Sequence, residues 1–263
     1  MPPQQHEQPP VAIGSRLARF PQIITLGLRP NFCDYSAEAR DLMHRADTIY
    51  YPTDAYAHVF PSLGKKIFPS LATHLYEGDK IRQSNLFNAL SLPHPRTRFF
   101  YGRQRAEILA HFSFPFVAKK ARASARGRGV YLIENPEQLA AYLGQNNPAY
   151  IQEFLPIERE VRVVVIGRDP VVAYGRKPAS GEFRANLAVG GSLDLSPQPK
   201  AAVDLAVAAA RLADLNDVGL DVALVDGKPV LLEFNVKYGR EGAAALGIDL
   251  VEVAARKILA GEV

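Results

Sequence analysis

The second half of the chain alternates apolar and polar residues in a way that predicts two antiparallel β-hairpins. One is "VRVVVIG-RD-PVVAYGR" (161–176), and the other is "GLDVALV-DGK-PVLLEFNV" (219–236), whose Asp-Gly pair is typical of a hairpin turn. Apolar residues at helical spacing predict helices over 36–46, 135–144 and 199–215. Because helices and antiparallel hairpins are mixed, the pattern predicts an α+β fold.

The same pattern divides the chain into three parts. Residues 1–20 begin with the polar, proline-rich "MPPQQHEQPP" and are expected to be a disordered tail. Residues 21–78 contain the short apolar runs "QIITLGL", "DTIYYPT" and "KKIFPS", which predict the strands of a small α/β domain. Residues 79–263 form a larger domain, in which three strands and one helix predict a subdomain at about 113–156.

Composition and charge narrow the class of protein. The chain has 263 residues, 48% hydrophobic and 22% charged, which is typical of a globular protein in water, and no apolar run is long enough to predict a membrane span. The single cysteine, Cys33, cannot form an internal disulfide, which favours a reducing, cytoplasmic location. The net charge of +4 favours an anionic partner and leaves open a small molecule, an acidic peptide or nucleic acid.

The hairpin at 219–236 places carboxylates where they can converge. Alternation along its second strand predicts a core face of Val230, Leu232 and Phe234, and an opposite face of Leu231, Glu233 and Asn235. A three-residue turn at 226–228 then sets Asp221 opposite Glu233, whereas a two-residue turn sets it on the wrong face. Oxygen ligands on adjacent strands suit magnesium. The alternative is that these acids are solvated on an exposed sheet face.

The segment "KKARASARGRGV" (119–130) has five Lys or Arg residues and no acid. Its glycines, Gly127 and Gly129, allow backbone N–H groups to close on a phosphate. A Walker pattern is absent, and the segment joins two predicted strands, so neither a P-loop nor a dinucleotide fingerprint fits. Nucleic-acid binding is disfavoured because aromatic residues do not alternate with the basic ones. A solvated basic loop remains the third interpretation.

Six segments from about residue 22 to the end occur in the order and spacing of one family. They are "GDKIRQSNLF…PHPRT", "PFVAKKARASARGRGVYLI", "YIQEFLP", "GEFRAN…GG", "VGLDV" and "LLEFNVKYGREG". On these segments the chain resembles the RimK-like ATP-grasp carboxylate–amine ligases, of the alpha-L-glutamate ligase type. The resemblance implies an ATP-grasp domain at 79–263, whose two α+β subdomains clamp ATP, and a short pre-ATP-grasp domain at 21–78.

The resemblance also implies roles for individual residues. The residues implied to bind the nucleotide are Lys80, Lys119, Ser124, Gly127, Gly129, Gln152, Glu153, Phe154, Leu155 and Glu160. Arg184 and Asn186 match the "FR-x-N" pair of the family and are implied to face the reacting phosphate. Arg176, like Arg184, could meet an anion and is predicted to act with them. The implied metal ligands are Asp221, Glu233 and Asn235. Arg240 is expected either to hold a substrate carboxylate or to make an ion pair with Glu241 or another acid.

The family pattern leaves the phosphate-binding lysine ambiguous. Counting forward from the strand "FPFVA" selects Lys119, and this is our prediction. Counting back from Gly129-Val130 selects Lys120. Two departures stand out: the family usually has Gly-Ser where this chain has Ala123-Ser124, and the N-terminal domain is shorter than usual. Since that domain often helps to hold the acceptor, the identity of the substrates stays open.

The resemblance implies ATP-dependent ligation of an amino acid or peptide carboxylate to an amine. The expected route passes through an acyl-phosphate and releases ADP and phosphate, with one or two magnesium ions, or manganese, as cofactor. Expected partners are small molecules or peptides, including an acidic protein tail, and the chain could form oligomers. The alternatives are an ATP-binding regulatory module without catalysis, or a basic protein that binds RNA or an acidic peptide.

Overall fold

The first sheet of the protein consists of four parallel strands. The computed structural model describes residues 8–122, 129–178 and 191–263. The strands of this sheet, which lie in the order β2-β1-β3-β4, are β1 (Val11–Ala12), β2 (Ile24–Thr25), β3 (Thr48–Tyr50) and β4 (Lys66–Phe68). The runs at 22–28, 47–53 and 65–70 therefore contain strands as predicted.

The prediction that residues 1–20 form a disordered tail is wrong from Val11 onward. Val11 and Ala12 are buried in strand β1, which lies between β2 and β3, and Leu17 is fully buried. The proline-rich composition is a poor guide here because a two-residue strand gives no visible alternation. Parallel neighbours on both sides cover it, so it needs only three consecutive apolar residues, "VAI".

Short helices lie between these strands and after the last of them. They are α1 (Ala37–Arg45), α2 (Thr53–Tyr56), α3 (Val59–Ser62) and α4 (Leu71–Leu75), with 3-10 turns at Ser15–Leu17 and Phe32–Asp34. Helix α1 begins at the predicted cap, because the Ser36 hydroxyl accepts a hydrogen bond from the Ala39 N–H at 3.2 Å.

The second sheet contains the strands predicted for the subdomain at about 113–156, together with an earlier one. In the order β5-β8-β6-β7, all antiparallel, its strands are β5 (Thr97–Phe100), β6 (Phe116–Lys119), β7 (Val130–Ile133) and β8 (Ala149–Glu153). The accompanying helices are α5 (Lys80–Ala89), α6 (Ile108–His111) and α7 (Pro136–Gln145), with a 3-10 helix at Gly102–Glu107. Asn135 caps α7 as predicted. We call this the lid sheet.

The third sheet is antiparallel, and we call it the floor sheet. In the order β11-β10-β9-β12-β13, its strands are β9 (Arg159–Ile166), β10 (Asp169–Lys177), β11 (Ser192–Asp194), β12 (Asp217–Val225) and β13 (Lys228–Asn235). Its helices are α8 (Lys200–Leu212), α9 (Glu241–Ala245) and α10 (Leu250–Leu259).

Strand β9 shows how the floor sheet positions polar groups. Its odd-numbered valines pack in one core with the alanines of α8, whereas Val164 and Ile166 pack in another core with α10. Alternation carries the second face from Ile166 and Val164 on to Arg162 and Glu160. The face that is apolar at one end of the strand is therefore charged at the other.

The β12–β13 hairpin confirms one predicted pair and corrects the reason for it. Asp221 lies opposite Glu233 as predicted, but the turn has two residues, Asp226 and Gly227, with φ of 49° and 70°. Positive φ at both positions is the geometry of a type I′ turn. A bulge between Asp221 and Val222 adds the residue that the shorter turn lacks.

The bulge also changes which leucine faces the core. The predicted assignment of Leu232 inward and Leu231 outward is wrong, because Leu231 is fully buried beside Phe234. Leu232 instead lies with Glu233 in a cleft. No helix of the described residues is long and apolar enough to cross a membrane.

Candidate functional site

Lys80 and Lys119 line the cleft that also contains Leu232 and Glu233. They come together because the lid sheet is joined to the start of α5. Asp79 caps that helix, and its carboxylate accepts hydrogen bonds from the N–H groups of Ile81 and Arg82, each at 3.0 Å. The same carboxylate accepts from Arg122 Nε at 2.9 Å, and the Lys80 N–H donates to the Ala121 carbonyl at 3.1 Å. The end of strand β6 is therefore joined to the first turn of α5.

Lys119 and Lys120 differ in burial. Lys119 is buried, lines the cleft together with Lys80, and has its Nζ 5.8 Å from the centre of the Tyr150 ring. Lys120 is exposed. Burial lowers the pKa of Lys119, and the nearby Glu233 opposes this only in part. A cation held at this position gains from any anion that enters the cleft.

Glu233 is the acid that faces both lysines. Its carboxylate lies 3.2 Å from Lys80 Nζ. Burial alone would raise the pKa of Glu233, but Lys80, Lys119 and a hydrogen bond from Asn235 lower it to about 2. Burial also disfavours the charge on Lys80, yet the ion pair with Glu233 outweighs it and raises the pKa of Lys80. Both groups are charged at neutral pH.

Asp221 is held by two arginines, one of which the sequence interpretation missed. The guanidinium of Arg162 binds both oxygens of Asp221, through Nε to Oδ1 and through Nη2 to Oδ2, the latter at 2.9 Å. Arg176 Nη2 lies 2.7 Å from Asp221 Oδ1. The two arginines and Asp221 are all buried. The available signal for Arg162 was its spacing from Glu160, two residues along one strand.

Asn235 completes a group of oxygen-bearing side chains. Its Nδ2 lies 3.2 Å from Glu233 Oε1 and 3.4 Å from Asp221 Oδ2, so the three predicted metal ligands come together. Two carboxylates and one amide oxygen are hard ligands of the kind that magnesium takes, usually with phosphate oxygens in the remaining positions. The donor set therefore fits magnesium, with Asn235 turning its oxygen toward the ion.

Gln83 fixes the end of strand β13 against helix α5. Its side-chain amide donates to the Phe234 carbonyl at 3.0 Å, and its oxygen accepts from the Phe234 N–H at 3.1 Å. These two bonds act like one more strand pair at the open edge of the floor sheet. They hold Glu233 and Asn235, the neighbours of Phe234, in register with Lys80.

Comparison with known proteins shows the family of the chain. The family model described as the RimK-like ATP-grasp domain matches residues 77–259. The chain belongs to the RimK-like ATP-grasp family. Two curated relatives are both described as a probable alpha-L-glutamate ligase: one from Teredinibacter turnerae is 32% identical over 171 residues, and one from Legionella pneumophila is 30% identical over 208.

The match covers only part of these relatives. It spans 62% of this RimK-like chain and 57% of the Teredinibacter protein, and 75% and 67% for the Legionella protein. Solved structures agree on the fold. The RimK domain protein ATP-grasp from Sphaerobacter thermophilus superposes with a TM-score of 0.67 at 18% identity, covering 94% of this chain and 98% of that one. The ATP-grasp ligase PsnB, complexed with minimal precursor, Mg and ADP, gives 0.68 at 15% identity, covering 95% and 97%.

The predicted hinge of this RimK-like chain, residues 152–155, begins at the end of strand β8 and leads toward β9 of the floor sheet. Gln152 is buried and donates to the Thr97 hydroxyl at 3.0 Å, and the Glu153 carboxylate accepts from the Arg96 N–H at 2.6 Å. Phe154 is exposed and Leu155 half-buried. The exposed ring of Phe154 is consistent with the role expected for the hinge, which stays a prediction.

Glu160 and Arg240 differ in how well they are held. Glu160 is paired with Arg176; burial raises the pKa of Glu160, and the charge of Arg176 only partly opposes this. Arg240 is exposed at the start of α9, and within the described residues it makes no ion pair. The predicted pair between Arg240 and Glu241 is therefore absent there.

The predicted glycine pair of the basic segment is described in part. Gly129 is described, with a positive φ of 75°, and its carbonyl accepts from the Lys120 N–H at 2.7 Å. The predictions outside the described residues are Ser124, Gly127, Arg184 and Asn186.

Proposed function

We propose that this protein is an ATP-dependent ligase that joins a carboxylate to an amine. The observation that carries the proposal is the cleft in which Lys80 and Lys119 face Glu233, with Asp221 and Asn235 beside it. Lysines that can neutralise phosphate and acids that can hold magnesium are the two requirements for phosphoryl transfer. Membership of the RimK-like family and the names of the curated relatives support the same activity.

The lysine-lined cleft is proposed to hold the phosphate chain of ATP. Its lining includes Lys80, Lys119 and Glu233. The adenine would then lie beyond the cleft, along the predicted hinge at 152–155. Lys80 and Lys119 would neutralise charge on the phosphates. Because these cations are already in place, they would stabilise the charge that develops in the transition state.

The proposed reaction has two steps. A carboxylate oxygen of the first substrate attacks the γ-phosphorus, the bond to the β-phosphate oxygen breaks, and ADP leaves. The amine nitrogen of the second substrate then attacks the acyl carbon, phosphate leaves, and the nitrogen loses a proton as the amide forms. Neither step needs a covalent bond to the protein, so positioning and charge neutralisation account for the catalysis.

Asp221, Glu233 and Asn235 are the residues proposed to hold magnesium. The ion would neutralise charge on the phosphates during transfer. The chain's own contribution is to fix these ligands: Arg162 orients Asp221, and Gln83 orients the strand that carries Glu233 and Asn235.

An acidic polypeptide is the proposed class of acceptor. From Arg96 to Tyr131 the sequence contains nine Lys or Arg residues and one acid, Glu107, although the whole chain has a net charge of only +4. The positive charge is therefore concentrated in the part of the sequence that contains strands β5 and β6 of the lid sheet. PsnB, which has this fold, has been solved with a precursor peptide.

The test is release of ADP from Mg-ATP in the presence of a pool of amino acids, with and without an acidic peptide. The proposal predicts ADP release that requires both a carboxylate and an amine, and that rises when the acidic peptide is added. Hydroxylamine in place of the amine should trap the acyl-phosphate as a hydroxamate. Binding of ATP with no ADP release under any of these conditions would favour the regulatory module instead. Salt-sensitive RNA binding without ATP would favour the nucleic-acid alternative.

A further inference from the structure

The carboxylate of Asp221 is saturated with donors before any metal arrives. A carboxylate has about four lone-pair sites. In Asp221 they face two nitrogens of Arg162, one of Arg176 at 2.7 Å, and the Asn235 amide at 3.4 Å. A metal ion can bind Asp221 only if one of these donors leaves. The Asn235 and Arg176 contacts are single, whereas Arg162 binds both oxygens.

Backbone packing holds Arg162 in this position. A Cβ atom on Gly219 would lie 3.1 Å from both Cδ and Nη1 of Arg162, and 2.8 Å from Cβ of Tyr238. Only the missing side chain of Gly219 lets the guanidinium and Tyr238 share this space on the floor sheet. Arg162 also lies directly across from Asp221 in the β9–β12 ladder. Its contact with Asp221 is therefore built into the sheet.

The charge balance of the cleft also disfavours binding of a bare metal ion. Among the described residues, three carboxylates (Asp221, Glu233 and Glu160) face four basic groups (Arg162, Arg176, Lys80 and Lys119). The carboxylates are thus already neutralised without a metal ion. A bare divalent cation finds no excess of negative charge, whereas a metal–nucleotide complex, which is an anion, is attracted by the surplus lysine.

We infer that Arg162 is a positioning residue that makes metal binding depend on the nucleotide. It keeps Asp221 oriented and neutralised when the cleft is empty, so that a divalent ion enters only together with its nucleotide phosphates. This inference rests on the proposed metal role of Asp221. Its consequence is that the protein does not capture free magnesium, and that the metal and the nucleotide bind as one ligand.

The test measures binding of Mn²⁺ in the absence of nucleotide. Loss of the free-ion signal in electron paramagnetic resonance reports this binding. Wild-type protein should bind bare Mn²⁺ weakly, and ADP should strengthen retention of the ion. Arg162→Gln removes one positive charge next to Asp221, so bare Mn²⁺ should bind about tenfold tighter or more. Binding of Mn²⁺–ADP by the variant should be weaker, because Asp221 is no longer oriented. A purely structural role for Arg162 predicts a loss in both measurements.

Arg168→Gln is the matched control, because it removes the same charge from the exposed turn between β9 and β10. It should leave both Mn²⁺ measurements unchanged. Bare Mn²⁺ binding no tighter in Arg162→Gln than in Arg168→Gln overturns the inference. If Arg162→Gln does not fold, wild-type protein decides alone: equal affinity for Mn²⁺ with and without saturating ADP also overturns it. A chain that lacked ligase activity would still show the bare-metal difference, so the two failures are distinguishable.

Discussion

The floor sheet and the lid sheet present opposite electrostatic situations to the same cleft. On the floor sheet every acid near the cleft has a basic partner: Asp221 has Arg162 and Arg176, and Glu233 has Lys80. On the lid sheet Lys119 is buried, and among the described residues it makes no ion pair. The floor is thus organised before a ligand binds, whereas the lid carries a cation whose burial Glu233 compensates only in part until an anion enters.

This difference indicates how the two sheets divide the work. Ion pairs and backbone ladders fix the floor residues, so they can set geometry. Lys119 is destabilised by burial, so its charge supplies a driving force for nucleotide binding. Mutations on the floor should therefore reduce turnover most, and mutations on the lid should reduce affinity most.

The largest effect is expected for Glu233→Gln on the floor. The change removes a proposed metal ligand and leaves Lys80 and Lys119 without their shared acid. Turnover of ATP should fall by about 100-fold or more, in line with the loss of one preorganised transition-state contact. Steady-state ADP release measures this. Asp226→Asn, at the tip of the same hairpin, is the control, since Asn-Gly suits the same turn; near-normal turnover in Glu233→Gln would remove Glu233 from the proposed metal site.

The next effect tests the lid. Lys119→Met should weaken ATP binding by about 1.5–3 kcal/mol, the range for a hydrogen bond to a charged group. Lys120→Met should change the affinity far less, because Lys120 is exposed. Calorimetric titration with ATP and magnesium compares the two variants directly. The reverse order of effects would show that the lysine register is wrong by one residue.

A smaller effect should appear in the pH dependence of nucleotide binding. Phosphate favours charged Lys119, whose pKa in the free protein lies below the ordinary 10.5 because of burial. Affinity should thus be highest at neutral pH and fall as pH rises through that lowered pKa, by up to about tenfold per pH unit. Lys80, whose pKa is raised, stays charged over this range. Titrations between neutral and alkaline pH should show the fall in wild type and not in Lys119→Met.

The smallest effect is expected for an ion pair outside the cleft. Lys237 lies 2.6 Å from Glu77 and 3.3 Å from Asp54, but its side chain is 75% exposed. Lys237→Ala should lower the free energy of unfolding by no more than about 1 kcal/mol, because water screens such pairs. Urea denaturation measures it. A clearly larger loss would mean that exposed pairs matter as much here as the buried ones of the floor.

Local pattern predicted the elements well and the contacts between distant elements poorly. Helices α1 and α7 begin at the predicted Ser36 and Asn135, because caps are set by neighbouring residues. Arg162 was missed because β9 pairs with β12 across a long stretch of intervening chain, and its register is set by packing that the sequence does not display. Asp221 and Glu233 were paired correctly from a wrong turn length.

The face that each residue of strand β13 occupies depends on two features, the length of the turn and the bulge. The turn has one residue fewer than a straight ladder requires, and the bulge restores it, so two odd steps cancel. Removing the bulge alone, or lengthening the turn by one residue alone, would move Glu233 and Asn235 to the apolar face of the hairpin. Aligning such hairpins by counting from the turn would assign the acids to the wrong side, whereas counting from the open end would not.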